Sequence, residues 1–247
     1  MPGIVAVDCF PENVEKYRDG WVVVAVDVIR ATTTAITGVA QGRRVFPVPT
    51  LEAVVALSAT LQNPLVVGEL GGNMPYGFHM TNSPAELSTR TDVERPMILV
   101  STSGTQVIHE SRQCAAGYVA CMRNYSAQIR YLAGRHEKIA MIGAGSRGEF
   151  REEDQQCCAW IAEGLLASGY RPLDKETEEV VARWSGAAPD AFIGSKSVEY
   201  LRRSGQLRDL DFILSHIDDL KTAFVFQNDE IVVVPERVRV PVVRVST

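Results

Sequence analysis

At 247 residues, 46% hydrophobic and 22% charged with a net charge of -5, the chain has ordinary globular composition and the length to bury a sizeable core. The mild acidity, and the absence of any basic cluster beyond Arg43 with Arg44 and Arg202 with Arg203, argue against a nucleic-acid partner, and the apolar runs are too short for a membrane span. The N-terminal MPGIVAVDCF has no basic n-region and the five cysteines (Cys9, Cys114, Cys121, Cys157, Cys158) form no C-x-x-C pair, so neither a secretory signal nor a zinc or disulfide framework is expected, and a reducing cytoplasm fits best.

In chain order the pattern alternates strand and helix. Residues 22–28 read as a buried strand and 32–40 as a helix; 44–47 are extended, 51–61 helical by apolar spacing and 64–67 a brief strand. Residues 68–86, rich in Gly, Asn and Pro, show no period. A strand at 97–101, a helix at 105–114, an extended 117–121, a helix at 126–133, a strand at 138–143 and a long amphipathic helix at 153–168 follow. This rhythm implies a mostly parallel sheet with helices on both faces and a ligand beyond the strands' carboxyl ends. After Gly169, helices are expected at 177–184, 195–204 and 207–217, then a hairpin in AFVFQNDEIVVVP turning at 227–229, then VRVPVVRV. No linker-like composition sets 170–247 apart as a subregion, so a single domain over 1–247 is expected. Exposed edges of the hairpin would suit a homo-oligomer, a dimer in the simplest case.

Three loops after strands carry the chemistry. In VVVAVDVIRATTT, Asp27 falls at a strand end, and Arg30 and Thr32, Thr33 and Thr34 stand at the start of the next helix. Unpaired amides and the positive dipole end there suit an anion; the plainer account is a capped helix with Asp27 bonding its own loop. MILVSTSGTQV repeats the arrangement with Ser101, Thr102, Ser103, Gly104 and Thr105. IAMIGAGSRGEFREEDQ supplies Gly145, Ser146, Arg147, Glu153 and Asp154. Chance capping explains each alone better than all three together, and at one edge of a parallel sheet the three would converge on one cleft.

GAGSRG also satisfies G-x-G-x-x-G, which keeps an NAD-binding oxidoreductase as an alternative. The acids that follow it and the lack of a strand ending in an acid about 20 residues on weigh against it. Asp27, Glu69, Glu153 and Asp154 are hard oxygen donors that suit Mg²⁺ better than zinc. With guanidiniums and hydroxyl-rich loops they read as a phosphoryl-transfer site. A non-catalytic anion-binding module is a third reading. No Walker A, tyrosine-phosphatase or H-x-H pattern is present.

DVIRATTT, Gly68-Glu69, GFHMTNSP, STSGT, Asn124, AGSRGEFREED, CCAW, GSKSVEYLRRSGQLRDLDF and DEIVVVP together resemble, in this order and over nearly the whole chain, the 2-phosphosulfolactate phosphatase (ComB) family. The resemblance implies a three-layer α/β/α sandwich on a mixed sheet. It also implies Mg²⁺-dependent hydrolysis of 2-phospho-3-sulfolactate, a small anionic phosphate ester, on the way to coenzyme M. By position, Asp27, Arg30 and Thr33 match its first motif and Glu69 its second. Asn82 and Ser83 match its N-S-P segment, Thr102, Gly104 and Thr105 its T-x-G-T loop, and Gly145, Glu153 and Asp154 its last motif. On this reading Asp27, Arg30 and Asp154 are catalytic, and Asp27, Glu69, Glu153 and Asp154 hold the metal. The anion is bound by Thr33, Asn82, Ser83, Thr102, Ser103, Gly104, Thr105, Arg123, Asn124, Gly145, Ser146 and Arg147. The chain departs from the pattern at His79, where Asp is usual, at Thr81, where Gly is, and at Ser103, where Asn is common. The loss of a negative charge at His79 implies a changed ester preference.

Overall fold

The computed structural model describes residues 2–146 and 148–234; Met1, Arg147 and residues 235–247, which include VRVPVVRV, lie outside them. The strands are β1 (Ile4–Cys9), β2 (Val22–Val26), β3 (Val45–Val48), β4 (Leu65–Gly68), β5 (Met97–Val100), β6 (Ala116–Ala120), β7 (Lys138–Gly143), β8 (Arg171–Pro172), β9 (Phe224–Gln227) and β10 (Glu230–Val233). The helices are α1 (Ala31–Ala40), α2 (Leu51–Ser58), α3 (Pro84–Ser88), α4 (Gly104–Glu110), α5 (Tyr125–Leu132), α6 (Glu152–Ala167), α7 (Lys175–Trp184), α8 (Lys196–Arg203) and α9 (Leu207–Ser215). Strands β1 and β8 and helix α3 go beyond the elements expected from sequence.

The central strands are apolar throughout because both of their faces are covered. Side chains alternate across a strand, so Val23 and Ala25 of β2 enter one core while Val22, Val24 and Val26 enter the other. The first core is closed by Ala35 and Ile36 of α1, Leu87 of α3, Val107 and Ile108 of α4, and Val14 and Tyr17 of the 3-10 turn Pro11–Tyr17. The second is closed by α5 to α9 through residues such as Leu132, Ile161, Val181, Leu201 and Ile213. Helix α2 covers that second face at the other end of the sheet, packing Val54 on Val66 and Ile98. The result is a three-layer α/β/α sandwich.

Among the described residues ten strands form one sheet in the order β4-β5-β3-β10-β9-β6-β2-β7-β1-β8. The expected hairpin turns at Asn228 and Asp229, both with positive φ (51° and 67°), the backbone of a tight two-residue connection. It sits in the middle of the sheet. Strand β9 is antiparallel to β6 and to β10, and β10 is antiparallel to β3. Both hairpin strands are therefore paired on both sides, and the argument that its exposed edges favour a dimer falls away.

The hairpin also reverses the sheet's sense. Strands β1, β2, β6, β7 and β8 run one way, and β3, β4 and β5 the other. In a flat sheet the end of β5 and the end of β2 would lie at opposite edges, so the expectation of three loops at one edge of one parallel sheet needs correcting. Neighbouring strands rotate by roughly 20–25°, and five steps separate β5 from β2, an accumulated turn of about 100–125° that lets the two ends meet. Gly104, just after β5, packs against Asp27, just after β2: a Cβ at 104 would stand 2.1 Å from Asp27 Oδ2.

Candidate active site

The loop after β2 is held by its own threonines. Thr32 Oγ1 accepts from the Asp27 amide at 2.9 Å and donates to the Asp27 carbonyl at 2.8 Å. Thr33 Oγ1 donates to the Val28 carbonyl at 2.8 Å, and Thr34 Oγ1 to the Asn82 carbonyl at 2.7 Å. These hydroxyls satisfy backbone and are not available to an oxyanion. The loop after β5 does likewise: Thr105 Oγ1 accepts from the Ser101 amide and Ser101 Oγ from the Thr105 amide, each at 3.0 Å. Glu69, at the end of β4, accepts from the Thr102 amide at 2.8 Å, the Thr102 hydroxyl at 2.9 Å and the Gly72 amide at 2.7 Å. Asp154, in the first turn of α6, accepts from the Val28 amide at 2.7 Å and so pins that helix to the end of β2.

These loops enclose a cavity of about 400 Å³. Of the residues expected from sequence, Asp27, Arg30, Glu69, Asn82, Thr102, Ser103, Gly145, Ser146 and Asp154 line it. Arg147 lies outside the described residues. The others stand back from the wall. Thr33 and Thr105 hold their loops as described, and Gly104 makes room for the Asp27 carboxylate. Ser83 caps α3, accepting from the Glu86 amide. Asn124 accepts from the Cys121 amide at 2.9 Å. Arg123 forms a two-point pair with Asp219 and donates to Thr37 Oγ1 at 2.9 Å. Glu153 is fully buried and off the wall, with neither carboxylate oxygen hydrogen-bonded among the described residues. His79 is also absent from the wall. Its Nδ1 accepts from the Val66 amide at 3.0 Å, so it completes the edge of β4 and removes no charge from the cavity.

Five further residues line the cavity, lying inside AGSRGEFREED and GSKSVEYLRRSGQLRDLDF but not among the site residues expected from sequence: Glu149, Arg151, Lys196, Ser197 and Tyr200. Lys196 Nζ lies 2.7 Å from both Glu149 oxygens, and Arg151 Nη1 lies 3.6 Å from Glu149. The signals available for them were these two motifs and the Ser195 cap, which accepts from the Val198 amide and marks where α8 starts; neither carries information about what that end of the helix faces.

Burial dominates the electrostatics of the floor. It pushes the Asp27 carboxyl up to about 7, with Glu69 and Glu153 adding to the rise and the Ala31 amide and Arg30 opposing it. Asp154 is raised for the same reason, reinforced by Asp27 and Glu153. Glu153 is raised by burial too. Ser197 and Ser195 face it and partly offset this, without reaching hydrogen-bonding geometry. Repelling buried carboxylates are relieved by taking up a proton or by a compensating cation. Among the described residues no three acidic, His or Cys side chains stand close enough to hold a metal between them, so a dedicated protein cage is absent there. Magnesium usually takes one or two carboxylates and completes its shell with phosphate and water, and Asp27 with Asp154 fits that chemistry. Glu69, already accepting three hydrogen bonds, and Glu153, buried off the wall, fit it less well.

The dinucleotide reading fails on geometry. That fingerprint opens a helix within its glycines. Here Ser146 and Glu149 close a tight turn through mutual amide–carbonyl bonds, and α6 starts only at Glu152 with three acids in its first turn. Cys121 is fully buried, and burial pushes its thiol up to about 11, so it stays protonated and does not serve as a nucleophile.

A sandwich whose strand ends surround buried carboxylates, a guanidinium and loop hydroxyls defines an enzyme acting on a phosphate monoester, a phosphatase. The family model described as 2-phosphosulpholactate phosphatase matches residues 8–229, and the chain belongs to that family. It is similar to a protein of Deinococcus radiodurans named probable 2-phosphosulfolactate phosphatase, at 34% identity over 211 residues, 83% of this chain and 86% of the relative. Proteins of the same name from Symbiobacterium thermophilum (33% over 202 residues, 78% and 86% covered) and Clostridium perfringens (26% over 234 residues, 90% and 93% covered) also match. None of the helices among the described residues is long and apolar enough to cross a membrane.

Proposed function

We propose that this chain hydrolyses 2-phospho-3-sulfolactate to 3-sulfolactate and inorganic phosphate with Mg²⁺ as cofactor. The observation that carries the reading is the mixed lining of the cavity: buried Asp27 and Asp154, with half-buried Arg151 and exposed Lys196 in the same space. A molecule with phosphate at one end and further acid groups a few bonds away matches both kinds of group at once. The relatives' names supply the particular ester.

Water adds to phosphorus, the ester P–O bond breaks and the departing 2-oxygen takes up a proton. Asp27 and Asp154 would hold Mg²⁺, which when bound supplies charge neutralisation and polarises the phosphoryl group. Arg30 and the hydroxyls of Ser103 and Ser146 orient the phosphate from the floor and side. Asn82, buried with its Oδ1 unpartnered among the described residues, presents a polar group to the same space. The 143–146 segment excludes bulk water from behind: Gly145 packs on Phe10, where a Cβ would come within 2.7 Å of the ring. Catalysis here is chiefly positioning and charge stabilisation.

The test is phosphate release from 2-phosphosulfolactate with Mg²⁺ and with EDTA. Release that EDTA abolishes and Mg²⁺ restores is the expected result. Phosphate binding without turnover under any divalent ion would end the catalytic reading.

A further inference from the structure

Arg30 faces the cavity, yet its charge is already engaged. Its Nη1 donates to Asp209 Oδ2 at 2.5 Å and to Gln206 Oε1, and the Arg30 and Asp209 side chains are 3% and 2% exposed. The second Asp209 oxygen accepts from Ser83 Oγ at 2.5 Å and from the Ala85 amide at 3.2 Å. Asp209 lies in the first turn of α9 and does not itself line the cavity. It joins the two segments that deliver Arg30 and Asn82 to the wall.

A buried ion pair is a poor device for stability alone, since desolvating both charges offsets much of their attraction and apolar side chains of similar volume often serve as well. A carboxylate gives something apolar packing cannot, which is direction. A guanidinium is a rigid planar fork. Held through Nη1, it turns its remaining donors, Nε and Nη2, to a fixed bearing, and neither has a hydrogen-bond partner among the described residues. A carboxylate, an arginine and a phosphate in series is also an arrangement in which each charge-assisted bond polarises the next.

We propose that Asp209 is a positioning residue for the reaction: it sets Arg30 to receive the phosphate of the ester and never touches the substrate. This rests on the phosphatase reading of the cavity, and wild-type turnover, measured first, separates the failure of one from the failure of the other. The variants are D209N, which keeps an oxygen for Ser83 and Ala85 while removing the charge, Q206A, R30Q and the double variant D209N/R30Q. Inorganic phosphate is the probe, read as a competitive inhibitor beside KM, kcat and the thermal midpoint.

D209N is expected to weaken phosphate inhibition by about tenfold, with KM rising more than kcat falls. R30Q does the same or more, and the double variant is no weaker than R30Q alone because both changes remove one device. Q206A, which leaves the charged pair but removes one of the two acceptors that hold Nη1, shifts inhibition about fivefold. The proposal is overturned if D209N lowers the thermal midpoint but leaves the inhibition constant and KM within about twofold, or if the two single effects multiply in the double variant. If D209N does not fold, unchanged phosphate inhibition in Q206A overturns it. Turnover that survives while R30Q binds phosphate normally overturns it together with Arg30's place in the cavity, and leaves the phosphatase reading standing.

Discussion

On the floor of the cavity Asp27, Asp154 and Arg30 are almost sealed from water, and each is fixed by a group distant in sequence: Asp27 by packing against Gly104, Asp154 by the Val28 amide, Arg30 by Asp209. On the rim, Glu149 and Lys196 stand largely in solvent and pair with each other. The charges are of the same kind, but their consequences differ. In the interior an unbalanced carboxylate changes its protonation and its affinity for cations, whereas at the surface water and salt screen the same charge to little effect. The floor can therefore carry chemistry, and the rim can only sort what enters.

The sharpest way to break this division is Asp27→Asn. It is expected to lower kcat/KM by at least about 10²-fold. Because burial and neighbouring acids make the Asp27 charge unfavourable, the thermal midpoint of the metal-free variant should rise. Near-normal turnover would show that the floor is not where the ester is cut. The same residue fixes a pH dependence. Its folded pKa of about 7 lies above the ordinary carboxyl value of 3.8, so the native state holds the proton more tightly than the unfolded chain. That contribution is fully present below the unfolded pKa and is lost as pH rises through the folded one. Thermal midpoints of the metal-free protein should fall between about pH 4 and 7, Mg²⁺ should restore them at the upper end, and Asp27→Asn should flatten the profile.

Gly104→Ala tests the geometry of the floor without touching a charge. The added Cβ would meet Asp27 Oδ2 at 2.1 Å and the Ala31 Cβ at 2.7 Å, so Asp27 must move. A displacement of that order costs about 10²-fold in rate where positioning matters. Unchanged kcat would mean that the carboxylate's place is not critical.

Strand and helix were legible where burial is two-sided. VVVAV is buried at every position, and the helix starts at Thr50, Asp174 and Ser195 carry side chains that accept from the first turn. The strand order was not, because pairing between β3 and β10 or between β6 and β9 joins segments more than 100 residues apart, and local pattern holds nothing about such pairing. In the site, the acids and glycine loops stood out because they interrupt apolar runs. Which hydroxyls face the cavity did not: Thr33 and Thr105 look like anion ligands until their partners are seen to be carbonyls and an amide four or five residues away. Lys196 and Asp209 stand inside GSKSVEYLRRSGQLRDLDF, but their roles were not legible for another reason. Each sits in an ordinary amphipathic helix, and only the packing of α8 and α9 on the second face of the sheet turns those first turns toward the loops after β2 and β7.

On the rim, Lys196→Met is expected to raise KM for 2-phosphosulfolactate about 2- to 5-fold with kcat unchanged, the size of an exposed pair, and to leave p-nitrophenyl phosphate, which lacks the second acid group, unaffected. An equal loss on both esters would place Lys196 at the phosphate instead.

Arg123→Ala should have the smallest effect on turnover. The sequence makes Arg123 an anion ligand, but its guanidinium is closed on three sides, by Asp219 at 2.6 Å, by Thr37 Oγ1 at 2.9 Å and by the Phe212 ring 5.3 Å from its centre. It joins α1 to α9 across the turn that follows α9. Its removal leaves Thr37 without a donor and Asp219 without a partner, though Asp219 at 32% exposure can take up water. The expected cost is about 1–3 kcal/mol of stability, a fall of several degrees in the thermal midpoint, with kcat/KM within about twofold of wild type. A tenfold loss of turnover at an unchanged midpoint would mean that the anion reaches Arg123 and that the cavity floor extends beneath α9.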